Sequence, residues 1–404
     1  MATWHDERPD GAEHHARDTD DTEEQDDHVR DDHDGRIDGA TAPSRSPGLG
    51  LAEIAVDGHN AAMTDVASRP APDPALPLGG HSTGAESPDL ERFRVELTAY
   101  CYRMLGSAFE AEDAVQETFI RAWRGFASFE GRSSLRSWLY RIATNVSLDM
   151  LGASQRRARP VDLNPALTAD SPLDSGLPEN AWIEPVPDSR VLPTAGDPAD
   201  VAVARESIRL AFVAALQNLP PRQRAVLILR EVLHWNAEEV AELLGTTVAS
   251  VNSALQRARA TLGSRKLDSD AASLELDPEH QALLDRYVQA FESYDMSALT
   301  ALLREDAEWS MPPYELWLQS HDDIVKWCLG PGIGCKGSRL IPTSANGQPA
   351  FGQYKPDLVN GGLEPWSLQV VELDDDTSGL AGVTFFLDTQ RYFPMFGLPP
   401  HLDA

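Results

Sequence analysis

The segment "NAEEVAELLGTTVASVNSALQRARATL", beginning at Asn236, constrains the fold more tightly than any other part of this 404-residue chain. Asn236 with Glu239 three residues on forms a capping box, which predicts a helix start. Gly245 supplies the left-handed conformation that a side chain disfavours, so the helix should end there. Thr246 or Thr247 then caps a second helix with Val248, Val251, Leu255 and Leu262 on its inward side. Ala241 is small where the two helices must cross. The pattern is a helix-turn-helix. Ser250, Asn252, Ser253, Gln256, Arg257 and Arg259 are left outward, short hydrogen-bonding and long cationic groups suited to base edges and phosphates in a major groove.

Such a surface sits oddly in a chain with a formal net charge of -30. The charge is unevenly spread, and a local basic surface can act within an acidic whole. Residues 1–88 are crowded with Asp, Glu, His, Gly and Pro and have few large apolar groups, so a disordered acidic tail is expected. Its histidines lack regular ligand spacing, and no metal site is expected there.

From Leu90 the pattern becomes helical through Phe93, Leu97, Tyr100 and Leu105, and then through a Val115, Phe119, Trp123 stripe. Asp113, Gln116, Glu117 and Arg121 lie opposite that stripe. A third helix starts near Ser133 or Ser134 and carries Leu135, Leu139, Ile142, Val146 and Met150 on one face. Six arginines stand between Arg132 and Arg159 against one acid, Asp149. These features define a helical module over 89–160.

Residues 161–203 are acidic and too rich in proline for a helix or an inner strand, which predicts an extended linker. A second helical module, 204–266, contains the helix-turn-helix. After a short linker, 267–278, residues 279–404 combine two amphipathic helices with strand-like runs such as "WSLQVVEL" and "LAGVTFFLD". The expectation is multidomain: two all-α modules followed by an α+β domain. Cys101, Cys328 and Cys335 are odd in number and form no CxxC pair, which argues against a disulfide framework or zinc site. No signal peptide and no run of about 18 apolar residues is visible, so a cytoplasmic chain without a membrane span is expected.

Two separated motifs resemble one family. "SAFEAEDAVQETFIRAWRGFASFEGRSSLRSWLYRIATNVSLD" is similar to region 2 of the extracytoplasmic-function (ECF) sigma factors of bacterial RNA polymerase. "LPPRQRAVLILREVLHWNAEEVAELLGTTVASVNSALQRARATL" is similar to their region 4. The tail, through "YVQAFESYDMSALTALLREDAEWSMPP", "IPTSANGQPAFGQY" and "FPMFGLPPHL", resembles the SnoaL-like, NTF2-like cone appended to a subset of them, the SigG/SigJ-type groups. The resemblance implies that Asp113, Gln116, Glu117 and Arg121 dock on core RNA polymerase, whose β′ and β subunits are the expected partners. It implies that Arg132, Arg136, Trp138, Arg141, Thr144 and Asn145 open and read a −10 promoter element. Arg222, Arg224, Thr247, Ser250, Asn252, Ser253, Gln256 and Arg257 would meet the −35 element. Housekeeping relatives carry two adjacent aromatics where this chain has Trp138-Leu139, which implies weaker strand separation. The acidic linker would thread the RNA exit path, with Asp162, Asp170, Asp174, Glu179, Glu184 and Asp188 mimicking a polyanion.

Asp306, His321, Asp323 and Asp388 are acid–base candidates in the tail by residue type alone, and each reads equally as a cap or turn residue. Trp309, Trp317, Trp327, Phe385 and Phe386 read as shell and core. No enzyme activity and no cofactor are expected. The tail is expected to pack against the two helical modules and set their activity. Two other readings compete: a free-standing helix-turn-helix regulator, which leaves the Glu110 to Asn145 motif unexplained, and a SnoaL-like enzyme with a DNA-binding appendage.

Overall fold

In the computed structural model the described residues are 89–152, 156–173, 176–263, 278–373 and 379–403. The acidic tail over 1–88 lies outside them.

The first module is three helices: α1 (Arg94–Leu105), α2 (Ala108–Gly125) and α3 (Leu135–Leu151). Ser107 caps α2 by accepting from the Glu110 amide, and Ser134 caps α3 by accepting from Ser137. Gly106 between α1 and α2 takes φ +73, and a Cβ there would press on Ile183 and Arg157. The second module holds α7 (Leu210–Gln217), α8 (Pro221–Leu227), α9 (Ala237–Leu244) and α10 (Val248–Leu262). Between α8 and α9 the backbone makes a π-helical turn, Ile228–Val232. The capping box at Asn236 and Glu239 forms with both bonds at 2.9 Å, and Gly245 ends α9 at φ +60. Thr247 is the residue that caps α10.

The segment expected to be an extended linker is not free chain. It carries α4 (Pro160–Leu163), α5 (Asp188–Val191) and α6 (Pro198–Glu206), and it is docked along much of its length. Trp182, Ile183, Val186, Val191 and Leu192 are buried. These apolar side chains, set between prolines, bury enough surface to hold a strap that its composition alone reads as solvated.

The C-terminal domain has α11 (Pro278–Ser293), α12 (Met296–Thr300), α13 (His321–Leu329) and α14 (Thr389–Phe396) around one six-stranded sheet. Its strands are β1 (Leu303–Ser310), β2 (Trp317–Leu318), β3 (Arg339–Ala345), β4 (Gln348–Pro356), β5 (Leu363–Leu373) and β6 (Leu380–Phe386), in the order β2-β1-β6-β5-β4-β3. β1 and β6 are parallel and the other pairs antiparallel. This is the α+β arrangement expected of an NTF2-like domain.

Alternation along the strands explains how the parts join, because successive side chains leave opposite faces. Phe351, Val371, Leu373, Val383 and Phe385 point into the core shared with α11, α12 and α13. Ala350, Tyr354, Leu368, Val370 and Phe386 point the other way, into one continuous core with α1, α7 and the strap. Both faces of the sheet are therefore covered, one by α11, α12 and α13, the other by α14, through Tyr392 and Phe393, together with the helical modules and the strap.

Candidate functional site

The face of α2 that bears Asp113, Gln116 and Arg121 is exposed, with Glu117 half-buried beside it. Glu117 accepts from Arg121 at 2.7 Å, and Arg121 reaches Asp149 on α3 at 3.4 Å. The inward face is Ala111, Ala114, Val115, Thr118 and Ala122. Trp123 does not belong to it. Its side is 68% exposed, as is Ile120 in lesser part, because an i, i+4, i+8 series drifts about 40° per step around a helix of 3.6 residues per turn. The charged face of α2 thus has two exposed apolar side chains, Trp123 and Ile120, beside it.

On α3 and its preceding loop, the basic side chains are exposed or half-buried and mostly partnered. Arg132 pairs with Glu130 at 2.8 Å. Arg136 pairs with Glu96 at 2.7 Å, and its guanidinium lies 5.0 Å from the Tyr140 ring centre and 5.5 Å from that of Trp235. Arg141 lies 3.4 Å from Glu242 on α9. Asn145 is exposed. Trp138 packs on Phe129, with ring centres 4.8 Å apart, and on Phe126 at 6.5 Å. Thr144 is placed wrongly by the expectation drawn from the sequence. It is 1% exposed, its hydroxyl donating to the Tyr140 carbonyl at 2.6 Å and sharing a 2.8 Å bond with the Tyr100 hydroxyl, so no base can reach it.

In the second module Ser250, Asn252, Ser253, Gln256 and Arg257 are exposed along α10, with Val251, Leu255 and Ala258 buried behind them. Thr247 is exposed at the helix start, and its hydroxyl accepts the Ser250 amide at 3.2 Å. Arg222 is exposed. Arg224 is the second correction, because it is 4% exposed and, in this arrangement, turned into the protein rather than toward a duplex. Its guanidinium donates to the Met104 carbonyl, to Gln217 Oε1 at 2.5 Å and to the carbonyls of Gln217 and Leu219. Burial, followed by the nearby Arg156 charge, pulls its pKa down to about 10. Arg224 is a bolt between the two helical modules.

The residues that bring the three parts together were not marked by the sequence motifs. Asn346, at the β3–β4 turn with φ +57, is fully buried. Its Nδ2 donates to the Tyr102 hydroxyl at 2.6 Å and to the Ile208 carbonyl at 2.8 Å, and its Oδ1 accepts the Val186 amide at 3.0 Å. Those partners belong to α1, to the start of the second module and to the strap. The next amide, Gly347, donates to Asp188 at 2.7 Å. The dipeptide Asn-Gly signals a hairpin turn, which both residues need for their positive φ. Nothing local announces what the Asn side chain would touch.

The acids of the strap are committed to the protein. Asp162 pairs with Arg159 at 3.0 Å, Asp170 with Lys326 and Glu179 with Arg391. Glu184 is 3% exposed, accepts from Ser107 at 2.5 Å and lies 3.7 Å from Arg157. Burial pushes its pKa up, against the Ser107 hydrogen bond and the Arg157 charge. Burial likewise raises Asp188, against the Gly347 hydrogen bond. Asp174 lies outside the described residues.

In the C-terminal domain the acid–base candidates serve as caps and turn residues. Asp388 caps α14, Asp323 accepts the Ala169 amide and the Ser320 hydroxyl, and Asp306 pairs with Arg304. His321 Nε2 meets the Arg304 carbonyl at 2.8 Å. The inner face of the sheet carries a buried chain of amides and hydroxyls: Tyr287 donates to Gln369, Gln369 to Gln353, and Ser367 to Gln353. Trp309, Trp317, Trp327, Phe385 and Phe386 are buried. Among the described residues no group of His, Cys, Asp or Glu has metal-site geometry, and no helix is long and apolar enough to cross a membrane.

Residues 90–157 match the family described as Sigma-70 region 2, and residues 209–262 match Sigma-70, region 4. The chain is 45% identical over 325 residues to the ECF RNA polymerase sigma factor SigG of Mycobacterium tuberculosis (strain ATCC 25618 / H37Rv), which covers 79% of this chain and 85% of that one. It is 26% identical over 304 residues to SigJ of the same organism, 74% of this chain and 83% of the relative. The crystal structure of M. tuberculosis SigJ shares the fold at a TM-score of 0.51 and 21% identity, covering 77% of this chain and 99% of that one. With two sigma-70 modules in order and a relative of this identity across most of its length, the chain belongs to the ECF sigma factors, which direct RNA polymerase in transcription initiation.

Proposed function

We propose that this sigma factor is held closed by its own C-terminal domain and must open before it can read a promoter. The observation that carries the reading is Asn346, one buried side chain bonded at once to the first module, the strap and the second module. The direct contact between the modules supports it. Arg136 and Arg141 of α3 are engaged by Trp235 and Glu242 beside and on α9. Two promoter elements more than one turn of duplex apart, a turn being about 34–36 Å, cannot both be met by helices that touch each other.

Once open, Asp113, Gln116, Glu117 and Arg121 dock on core polymerase through β′, with β as the further subunit contact. Arg132, Arg136, Arg141 and Asn145 address the −10 element, with Trp138 at the edge of the melted strand. Arg222 holds a phosphate near −35, Ser250, Asn252, Ser253, Gln256 and Arg257 face base edges there, and Thr247 holds the reading helix in place. The released strap threads the basic RNA exit path. The domain acts without catalysis in the cytoplasm. Multi-round transcription with core polymerase tests this: Asn346→Ala should initiate more from a cognate promoter than the parent chain, and equal output from both would defeat the closed reading.

A further inference from the structure

Beside the Asn346 turn lies a cleft of about 550 Å³ built by two parts of the chain. Leu284 and Val288 of α11, Leu340 of β3, Phe351 of β4 and Leu373 of β5 form its apolar floor. Asp188 of the strap, Arg205 of α6 and Asp285 of α11 also line it. The size is that of a small-molecule site, and an apolar floor with a few polar groups at the rim is the usual make-up of one.

The charges select the ligand. Among the described residues, Asp188, Arg205 and Asp285 are the charged side chains lining the cleft. The Arg205 charge acts on Asp188, which also accepts the Gly347 amide at 2.7 Å. Asp285 accepts from the neutral Gln281 amide at 2.9 Å. The cleft therefore carries one excess negative charge, placed on the exposed side of α11, within a strongly acidic protein whose field attracts cations. A protonated amine offers three donors to such a carboxylate.

We propose that this cleft binds a small amphipathic amine, an apolar ring-bearing body with one protonated nitrogen, and that its occupation keeps the sigma factor closed. The ring system rests on Leu284, Val288, Leu340 and Phe351, and the nitrogen meets Asp285. Asp188 of the strap lines the same cleft, so the bound amine lies against the strap as well as against α11 and loses that wall when the strap leaves. It therefore binds the closed form better and shifts the population toward it. At ten times its dissociation constant for the closed form, a ligand with no affinity for the open form multiplies the closed-to-open ratio about elevenfold. The second half of the proposal rests on the closed reading given above; the first does not.

Calorimetric titration of the full chain with tryptamine and with 2-phenylethylamine tests the site, and 3-phenylpropionate, similar in size and opposite in charge, is the counter-probe. The expected result is binding of an amine, weakened about tenfold by Asp285→Asn and lost in Val288→Trp, with no binding of the acid. Absence of binding by both amines, binding unchanged in both variants, or preference for the acid overturns the site. Transcription with core polymerase then tests its effect. The bound amine should lower initiation by the parent chain and spare a fully active Asn346→Ala variant. Binding with undiminished initiation overturns the regulatory half. If Asn346→Ala fails to raise initiation while the amine still binds as described, the closed reading fails and the site stands.

Discussion

Asn346 Nδ2 donates to the Tyr102 hydroxyl at 2.6 Å across 244 positions of sequence, at a point where neither group reaches solvent. A hairpin tip of the C-terminal domain is thereby fixed to the first helix of the region 2 module. Asn346→Ala leaves the Val186 amide and the Ile208 carbonyl short of a partner and Tyr102 with one bond fewer. At ~1–3 kcal/mol for each buried group left unsatisfied, the closed form should weaken by roughly 3 kcal/mol, about a hundredfold in the opening equilibrium. Fluorescence transfer between labels on α2 and α13 should fall while far-ultraviolet circular dichroism is retained.

Arg222 and Arg224 lie on one helix turn and should behave oppositely. Arg222→Ala removes an exposed cation, so the melting temperature should hold and promoter affinity should fall with a reduced salt slope. Arg224→Ala empties a buried site that joins Met104, Gln217 and Leu219. It should cost about 3 kcal/mol and lower the melting temperature by roughly 5–10 °C in a thermal scan.

The strap should hold more tightly as pH falls. Burial raises the carboxyls of both Glu184 and Asp188, so the docked form binds protons that the free strap, with ordinary carboxyls, releases. Between the ordinary carboxylate range and those raised values, docking takes up protons. It is therefore favoured toward acid and weakened as pH climbs through the window. Glu184→Gln with Asp188→Asn should flatten the pH dependence of the same fluorescence signal.

Arg257 stands exposed on α10 between Val251 and Leu255 behind and solvent in front. Arg257→Ala should weaken binding of a −35 duplex by the opened protein by about 1–3 kcal/mol if the side chain meets a base, with relaxed preference at one position. A competition assay with single-base variants reads both.

Glu117→Lys should abolish association with core polymerase and leave folding nearly unchanged. Among the described residues its charged partner is Arg121 on the same helix, an i, i+4 pair worth about 0.3–0.5 kcal/mol. Co-migration with core polymerase on gel filtration distinguishes the two effects.

Local signals in the chain announced the helix starts at Ser133 or Ser134 and at Asn236, the turn at Gly245 and the outward face of α10. Each depends on neighbours within a few residues. What stayed hidden depends on distant ones. Arg224 reads as one more basic side chain before a recognition unit, yet its acceptor Met104 lies 120 positions away. Thr144 has the chemistry of a base-reading residue, but it lies on the side of α3 that Tyr100 covers. The strap's prolines and acids outweigh Trp182, Ile183 and Val186 in any compositional average, although those few side chains decide where it lies. β5 and β6 showed as strand-like runs, but the polar Ser367, Gln369 and Glu372 among their apolar residues gave no local sign that the sheet would be covered on both faces.

Because the docked strap is also the tether between the modules, its release changes their reach as well as their exposure. A freed flexible tether of about 40 residues has a root-mean-square span of roughly 35 Å. That mean is already about one pitch of B-form duplex and a chain of this length stretches well beyond it, so unfastening one hairpin tip would convert two abutting helices into a pair of grips free to part along a promoter.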